Sequence, residues 1–256
     1  MRPVLFEVFG FKVHSYGVML FIGFVTALWL ARARSRRYGV EQGQISDASV
    51  WGIILGILGA RLVYIAQEWD HYSRNTRELF SLQFQGLTSF GGLIFGMLGL
   101  WFWSLRSKVS VIRLFDSVAA PYLLAYAIGR IGCLLNGCCY GGHCDYPWGI
   151  HVAGQTGLFH PAQVYDAFFN LAAMGLLFAI ERSRQMRVGQ TAAIALALHG
   201  IARFIYEFWR AGTTSTYMGS LPITDAQAMA LVLVLVGISL FIWFRRSNLK
   251  LEVPAA

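Results

Sequence analysis

Seven apolar runs separated by short links constrain this chain more than any other feature. They lie at about 16–31, 47–66, 89–105, 114–135, 161–180, 191–209 and 226–244. In a helix, about 20 such residues rise roughly 30 Å, the thickness of the hydrocarbon core of a bilayer. Only helices and closed barrels satisfy their own backbone in lipid, and runs of this length are helices. The predicted fold is an all-α polytopic membrane protein of about seven transmembrane helices, one integral-membrane domain over 1–256. Composition agrees, with 56% apolar and 13% charged residues, against about 25% charged in an average soluble domain. The net charge of +8 does not point to nucleic acid, because the basic residues gather in short clusters between the apolar runs. No signal peptide is expected, since the apolar core of MRPVLFEVFGFK is too short and no small-residue cleavage site follows it.

Those clusters predict an orientation. Arg32, Arg34, Arg36 and Arg37 follow the first run, and Arg106, Lys108 and Arg113 the third. Arg182, Arg184 and Arg187 follow the fifth, and Arg245, Arg246 and Lys250 the seventh, so 13 of the 21 basic residues lie on one side. The positive-inside rule places that side in the cytoplasm, with the N-terminus outside and the C-terminus inside. The outer connections are then 67–88, 136–160 and 210–225. The middle one, with its Gly and Pro turns, is long enough for a small ordered head, which could include strands. Small-xxx-small pairs at Gly52/Gly56 and Gly92/Gly96 read as close helix packing.

Charge inside an apolar run is the functional signal. A charged side chain at the bilayer centre costs roughly 3 kcal/mol or more, so it marks a site unless it snorkels to the headgroups. Arg61, Arg130 and Arg203 all fall in the outer half: Arg130 lies about 24 Å, and Arg203 about 18 Å, from the inner end of its run. In the sixth run His199, Arg203, Glu207 and Arg210 form one helical stripe. An i,i+4 salt bridge accounts for Arg203 and Glu207 but leaves the other two on the same face. The fifth run opens with HPAQVYD, from His160 through Gln163 to Asp166. Pro161 suits a first helical turn, whose unpaired N–H groups favour an anion. Arginines and a helix N-terminus in the outer leaflet point to a phospholipid phosphate.

These segments resemble the bacterial prolipoprotein diacylglyceryl transferases. The similarity runs through SYGVMLFIGF, GILGARLVY, SFGGLIFG, GRIGCLLNG, HPAQVYDA and ARFIYEFWR, in order along most of the chain. The resemblance implies a seven-helix membrane body with a small periplasmic head at about 136–160, in the bacterial cytoplasmic (inner) membrane. It implies transfer of the diacylglyceryl group of phosphatidylglycerol to the lipobox cysteine of a prolipoprotein signal peptide. A thioether forms, glycerol phosphate leaves, and no cofactor is required. Tyr16, Arg130, Asn136, Gly141, Arg203 and Glu207 match family positions that bind lipid or serve catalysis. Adding the polar stripe and the fifth-run motif, the expected catalytic set is Arg130, Arg203, Glu207 and His199. The expected substrate-binding set is Tyr16, Arg61, Asn136, Gly141, His160, Gln163 and Arg210.

The chain departs from the family pattern at four places. Cys133 stands at the first Asn and Cys138 at the Glu of the family's GRxGNFxNGE; Phe90 replaces a His, and His199 a common Tyr. With Phe90 unable to accept a proton, His199 is the expected base for the acceptor thiol, and Asp166 the carboxylate alternative. All four cysteines lie in the C-x4-C-C-x4-C of residues 133–144 on the oxidising face. One or two disulfides stapling the head are expected. Free packing cysteines and a metal or redox site are the alternatives, although the spacing is not that of a usual zinc knuckle and no metal is assigned. Two other functions stay open at this point: a membrane thiol–disulfide oxidoreductase using the cysteines, and a lipid or solute transporter. A transporter needs polar groups through the inner half, where Asp116 is the obvious one.

Overall fold

The helices begin and end close to where hydropathy places them. A computed structural model describes residues 2–8, 11–74, 88–210 and 223–246. Parts of two expected outer connections (75–87 and 211–222), with Arg77, and also Lys250 lie outside the described residues, as does the side chain of Phe90. The chain forms two compact units, one of residues 1–39 with 115–256 and the other of residues 40–114. Each is treated by itself.

The first unit opens with an antiparallel hairpin that the sequence reading did not assign. Strand β1 (Val4–Val8) pairs with β2 (Phe11–His14), Val4 opposite His14 and Glu7 opposite Lys12. Helix α1 (Ser15–Ser35) follows at once, and the backbone N–H and hydroxyl of Ser15 both donate to the Pro3 carbonyl. A 3-10 turn (Arg36–Tyr38) ends at Gly39 in the left-handed region, φ 71°. Then come α5 (Val111–Asn136), α6 (Ala162–Ser183), α7 (Gln190–Arg210) and α8 (Asp225–Arg246). Ala119, Ala120 and Leu123 of α5 pack with Ala173 and Leu177 of α6 and Ala195 of α7 in a dry centre. Small residues let the backbones close in: a Cβ on Gly23 of α1 would sit 3.1 Å from the Ala125 carbonyl of α5. Outward faces carry Trp29, Phe168, Leu235 and Trp243, all strongly exposed. Large apolar side chains outside and small ones inside is the pattern of a body solvated by lipid.

A buried polar cluster closes the basic end of this unit. Glu181 of α6 is buried; its carboxylate accepts from Tyr38 Oη at 2.5 Å, Thr191 Oγ1 at 3.2 Å and Arg34. Arg37 donates to the Glu181 carbonyl at 2.6 Å. Asp116, expected near the inner end of the fourth run, accepts from the backbone N–H groups of Gly189 (2.6 Å) and Ala192 (2.9 Å). It caps the start of α7 and satisfies donors that helix geometry leaves open. Asp116 therefore has a structural task at the start of α7.

The second unit contains α2 (Gln42–Gln67), the short α3 (Trp69–Arg74) and α4 (Ser89–Ser107). A capping box of Glu41 and Gln44 starts α2. The glycines of α2 and α4 face one another as their spacing implies: a Cβ on Gly56 would lie 3.2 Å from the Gly92 carbonyl, and one on Gly99 only 2.6 Å from the Trp51 carbonyl. Among the described residues six helices are long and apolar enough to cross a membrane: α1 with its 3-10 turn, α2, α5, α6, α7 and α8. Helix α4 is the remaining expected run, the third in chain order. It spans 19 residues, a rise of about 28 Å, with glycines, tryptophans and Arg106 diluting its hydropathy.

The glycine contact generates a measurable expectation. Gly99→Ala should lower the midpoint of thermal unfolding in detergent, through overpacking worth roughly 1–3 kcal/mol. Gly43→Ala, where nothing lies within 4 Å of the added Cβ, should leave the midpoint unchanged or slightly raised.

Candidate active site

One stripe on α5 carries Tyr122, Tyr126 and Arg130, four residues apart and so on one face. Across from it α6 presents Asp166 and Asn170, again an i,i+4 pair, both fully buried. Arg130 Nε lies 2.7 Å from Asp166 Oδ2, and its guanidinium also donates to the Tyr126 hydroxyl. Tyr126 Oη donates to Asp166 Oδ2 at 3.1 Å, while Asn170 Nδ2 donates to Asp166 Oδ1 at 2.9 Å. The carboxylate thus meets one cation and two neutral donors, the condition under which a charge tolerates burial.

His199 of α7 joins this chain through Asn170. Its Nδ1 lies 2.7 Å from Asn170 Oδ1, and its Nε2 3.3 Å from Tyr122 Oη. Asn170 Oδ1 can only accept, so the proton sits on Nδ1 and Nε2 accepts from the tyrosine. Both ring nitrogens are occupied, and the residue is buried.

Helix α7 supplies the rest of its stripe. Glu207 is fully buried; Arg203 Nη1 lies 2.9 Å, and Arg210 Nη1 3.7 Å, from its Oε2. The Arg203 ion pair is close but not aligned as a hydrogen bond, and its buried Nη1 has no hydrogen-bond acceptor among the described residues. Tyr206 contacts both arginines of the site, its ring centroid 4.7 Å from the Arg203 guanidinium and 5.4 Å from that of Arg130. A ring face attracts each cation.

The segment after α5 closes over this end. Cys138 N–H donates to the Cys133 carbonyl (3.1 Å), and Gly137 N–H to that of Leu134 (3.2 Å), with Gly137 at φ 77°. This is a Schellman termination, and it folds Cys138 back over the last turn of the helix. Cys139 then adopts φ 64°, a left-handed conformation that costs a non-glycine residue about 1–3 kcal/mol and persists only where neighbours impose it. Gln163 Nε2 donates to the Cys138 carbonyl at 2.6 Å, and Tyr206 Oη to that of Cys139 at 3.5 Å. Gly141 N–H donates to the His160 carbonyl and Gly142 N–H to that of Trp209, both at 2.9 Å. A Cβ on Gly141 would meet the Trp209 carbonyl at 2.5 Å, so glycine is required for this approach. Over 136–160 the head forms turns and two isolated bridges, His143 and Ile150 each with Phe159, and no longer strand.

The four cysteines are free thiols. The expected disulfides are not formed: the Cys138 and Cys139 sulfurs lie 3.7 Å apart, where a bond needs about 2.05 Å. The sulfurs of Cys133, Cys138 and Cys139 lie within 4.8 Å of one another. Hydrogen bonds from Cys133 and then Cys138, aided by Arg130 and Arg210, hold the Cys139 thiol well below its ordinary range.

A family model described as prolipoprotein diacylglyceryl transferase matches residues 3–243. The chain belongs to that family. It is 31% identical over 242 residues to phosphatidylglycerol–prolipoprotein diacylglyceryl transferase 2 of Clostridium perfringens, covering 93% of each chain. It is 31% identical to the phosphatidylglycerol–prolipoprotein diacylglyceryl transferase of Clostridium novyi, over 98% of this chain and 97% of the relative. The enzyme of that name from Finegoldia magna is 28% identical over 98% of both.

With the family established, the expected site residues can be placed. Arg130, Arg203, Glu207, Arg210 and His199 gather with Gln163 and Gly141 at one end of the first unit. Tyr16 of α1 lies beside Gly132, where an added Cβ would meet its ring at 3.2 Å. Asn136 is the exposed last residue of α5. His160 Nδ1 lies 3.3 Å from the Tyr165 hydroxyl. Arg61 belongs to the second unit, its guanidinium 5.4 Å from the ring centroid of Tyr72. Sequence reasoning missed Tyr122, Tyr126, Asn170 and Tyr206, and treated Asp166 only as a spare base. The i,i+4 repeat 122–126–130 was the signal that could have found the tyrosines.

Removing one partner of the buried pair tests its weight. Asp166→Ala should destabilise the protein by about 3 kcal/mol or more, since the Arg130 charge stays behind unpaired. The double variant Asp166→Leu/Arg130→Met should recover part of that loss, read as the unfolding midpoint in detergent.

Proposed function

We propose that this protein is an enzyme that transfers the diacylglyceryl group of phosphatidylglycerol to the lipobox cysteine of a prolipoprotein. The observation that carries the reading is the two-arginine site around Tyr206 in a chain that belongs to this family along nearly its whole length. The relatives' names supply donor and acceptor, and the geometry supplies means to handle a phosphodiester. Arg203 Nη1 pairs with Glu207 without an aligned hydrogen bond, and a guanidinium suits a phosphate whose charge grows as glycerol phosphate leaves. Arg130, held by Asp166 and Tyr126, offers its remaining donors from a fixed position. Glu207 orients Arg203 and Arg210. Tyr16, Asn136, Gly141, His160 and Gln163 border the place where lipid and peptide meet; Arg61, in the second unit, is read as a lipid-binding residue on its own.

His199 takes a positioning role in this scheme. With both nitrogens bonded it fixes Asn170, hence Asp166, hence Arg130. The enzyme lies in the bacterial cytoplasmic membrane, N-terminus outside and C-terminus in the cytoplasm. Arg32, Arg34, Arg182, Arg184, Arg187, Arg245 and Arg246 collect at the helix ends remote from Arg203, which by the positive-inside rule supports a site on the outer side. We read the chain as one integral-membrane domain over residues 1–256, with about 136–160 as its periplasmic head.

The reaction class is read by mass spectrometry of a lipobox peptide incubated with purified enzyme and phosphatidylglycerol, where the peptide gains one diacylglyceryl unit. Arg203→Gln should lower turnover by at least about a hundredfold, the scale of a lost transition-state donor, with the unfolding midpoint retained. A variant that turned over normally would remove Arg203 from the mechanism. His199→Phe should lower kcat while leaving the acidic limb of the pH–rate profile where it is in wild type. A displaced limb would restore His199 as the base.

A further inference from the structure

Three thiols converge at the mouth of this site, and nothing in the phosphate chemistry above uses them. Cys133 belongs to the last turns of α5, and the Schellman turn at Gly137 returns Cys138 onto it. The left-handed backbone at Cys139 turns the next side chain to the same point. Two adjacent residues of an extended strand would project apart; here the unusual dihedral brings both sulfurs, 3.7 Å from each other, against a third. Around a thiophilic ion with metal–sulfur bonds of about 2.3 Å, tetrahedral geometry sets sulfur–sulfur edges of about 3.8 Å. The Cys138–Cys139 separation of 3.7 Å lies close to such an edge and far from a disulfide bond, and all three sulfurs lie within 4.8 Å of one another. Cys144 is not part of the group, and among the described residues no His, Asp or Glu completes it. Cys133 is buried, whereas Cys138 and Cys139 are partly exposed, so one side of the cluster is open.

We propose that Cys133, Cys138 and Cys139 form a three-thiolate Zn2+ site whose fourth position receives the acceptor thiol. This rests on the transferase reading for the identity of that fourth ligand. Zn2+ is borderline soft and redox-inert. Bound to it, three crowded thiols on an oxidising face stay reduced and do not scramble into disulfides. Three thiolates and one divalent ion carry a net charge of −1, which Arg130 and Arg210 at the same end of the unit offset. The same arginines suit the donor phosphate, so donor and acceptor meet across one charged patch.

The site also supplies what the sequence lacks. The side chain at position 90 is Phe and both nitrogens of His199 are engaged, yet the acceptor thiol has to lose its proton. A thiol that coordinates a metal ion is deprotonated outright. The acceptor thiol binds at the fourth position and releases one proton to solvent. Its sulfur then attacks the glyceryl carbon that bears the phosphate, forming the carbon–sulfur bond. The carbon–oxygen bond breaks, and its electron pair leaves with the phosphate oxygen of glycerol phosphate. No oxidant or reductant takes part.

The test uses full-length protein purified in detergent without chelator. Elemental analysis should find about one zinc per chain in wild type and in Cys144→Ser. Zinc affinity should fall about tenfold or more in Cys138→Ser and in Cys139→Ser. Cobalt in place of zinc should give a thiolate-to-metal absorption that grows by about one third when a lipobox peptide is added, as three sulfur ligands become four. The peptide with Ser in place of its cysteine should leave the band unchanged. Wild-type protein that holds neither zinc nor cobalt, or peptide mapping that finds a disulfide among the three cysteines, would overturn the site. A cobalt spectrum indifferent to the cysteine peptide would overturn the open fourth position. Protein whose cobalt spectrum responds to the peptide but whose zinc form never lipidates it would uphold the site and overturn the transferase reading.

Discussion

Burying a charge among apolar helices is costly, and the contact of Arg130 with Asp166 is how the first unit makes that burial tolerable. The pair joins α5 to α6 at 2.7 Å, and each further member of the network answers a demand the pair creates. The second carboxylate oxygen needs a donor, which Asn170 supplies. The amide oxygen of Asn170 then needs a donor, which His199 supplies, and the second nitrogen of that ring needs Tyr122. Three helices are registered by a relay in which no member is interchangeable with a residue of the same size. The consequence for function is positional: Arg130 is held rigidly with donors to spare, which is the state a phosphate-binding guanidinium must be in before its ligand arrives.

Much of this was legible from residue order, for reasons particular to each element. The runs at 114–135 and 191–209 became α5 and α7 with ends displaced by no more than a few residues, because length and hydropathy dominate in lipid. The stripe His199–Arg203–Glu207–Arg210 was readable because its partners lie on one helix at i,i+3 and i,i+4. The partner of Arg130 was not, since an ion pair between α5 and α6 leaves no periodic trace in either segment. The hairpin at Val4–His14 escaped because an alternating stretch of that length resembles the start of an outer segment.

The cysteines show a different limit. Spacing alone pairs residues in the C-x4-C-C-x4-C run in several ways, and an oxidising compartment argues for bonds. Which sulfurs meet is decided by two backbone dihedrals, at Gly137 and Cys139, and by the carbonyl contacts from Gln163 and Tyr206 that enforce the second. The Asn-Gly pair at 136–137 hints at a left-handed helix end. Nothing in the sequence announces that Cys139 shares that conformation. Neither the departures at Cys133 and Cys138 from the family pattern nor the clustering of the thiols would mean much separately. Together they replace an amide and a carboxylate with soft ligands at the point where a thiol has to be activated.

The two buried polar clusters of the first unit compare by one criterion, the satisfaction of their hydrogen bonds. At the basic end every oxygen of Glu181 has a donor: Arg34, Tyr38 and Thr191 on the carboxylate, Arg37 on the carbonyl. Asp116 spends both oxygens on the start of α7. Both of these carboxylates are satisfied, although the buried Arg34 Nε has no hydrogen-bond partner among the described residues. At the other end Arg203 contacts Glu207 without aligning to it, and the buried Gln163 Oε1 has no hydrogen-bond partner among the described residues. Unspent hydrogen-bonding capacity in a low-dielectric setting is unfavourable until something fills it. Both ends therefore contain buried carboxylates and arginines in similar numbers of elements, and charge within the membrane does not by itself tell them apart. The unpartnered Gln163 Oε1, the strained backbone at Cys139 and the match of the family along residues 3–243 support the proposal that the chemistry lies at the end where α5 and α7 finish and α6 begins.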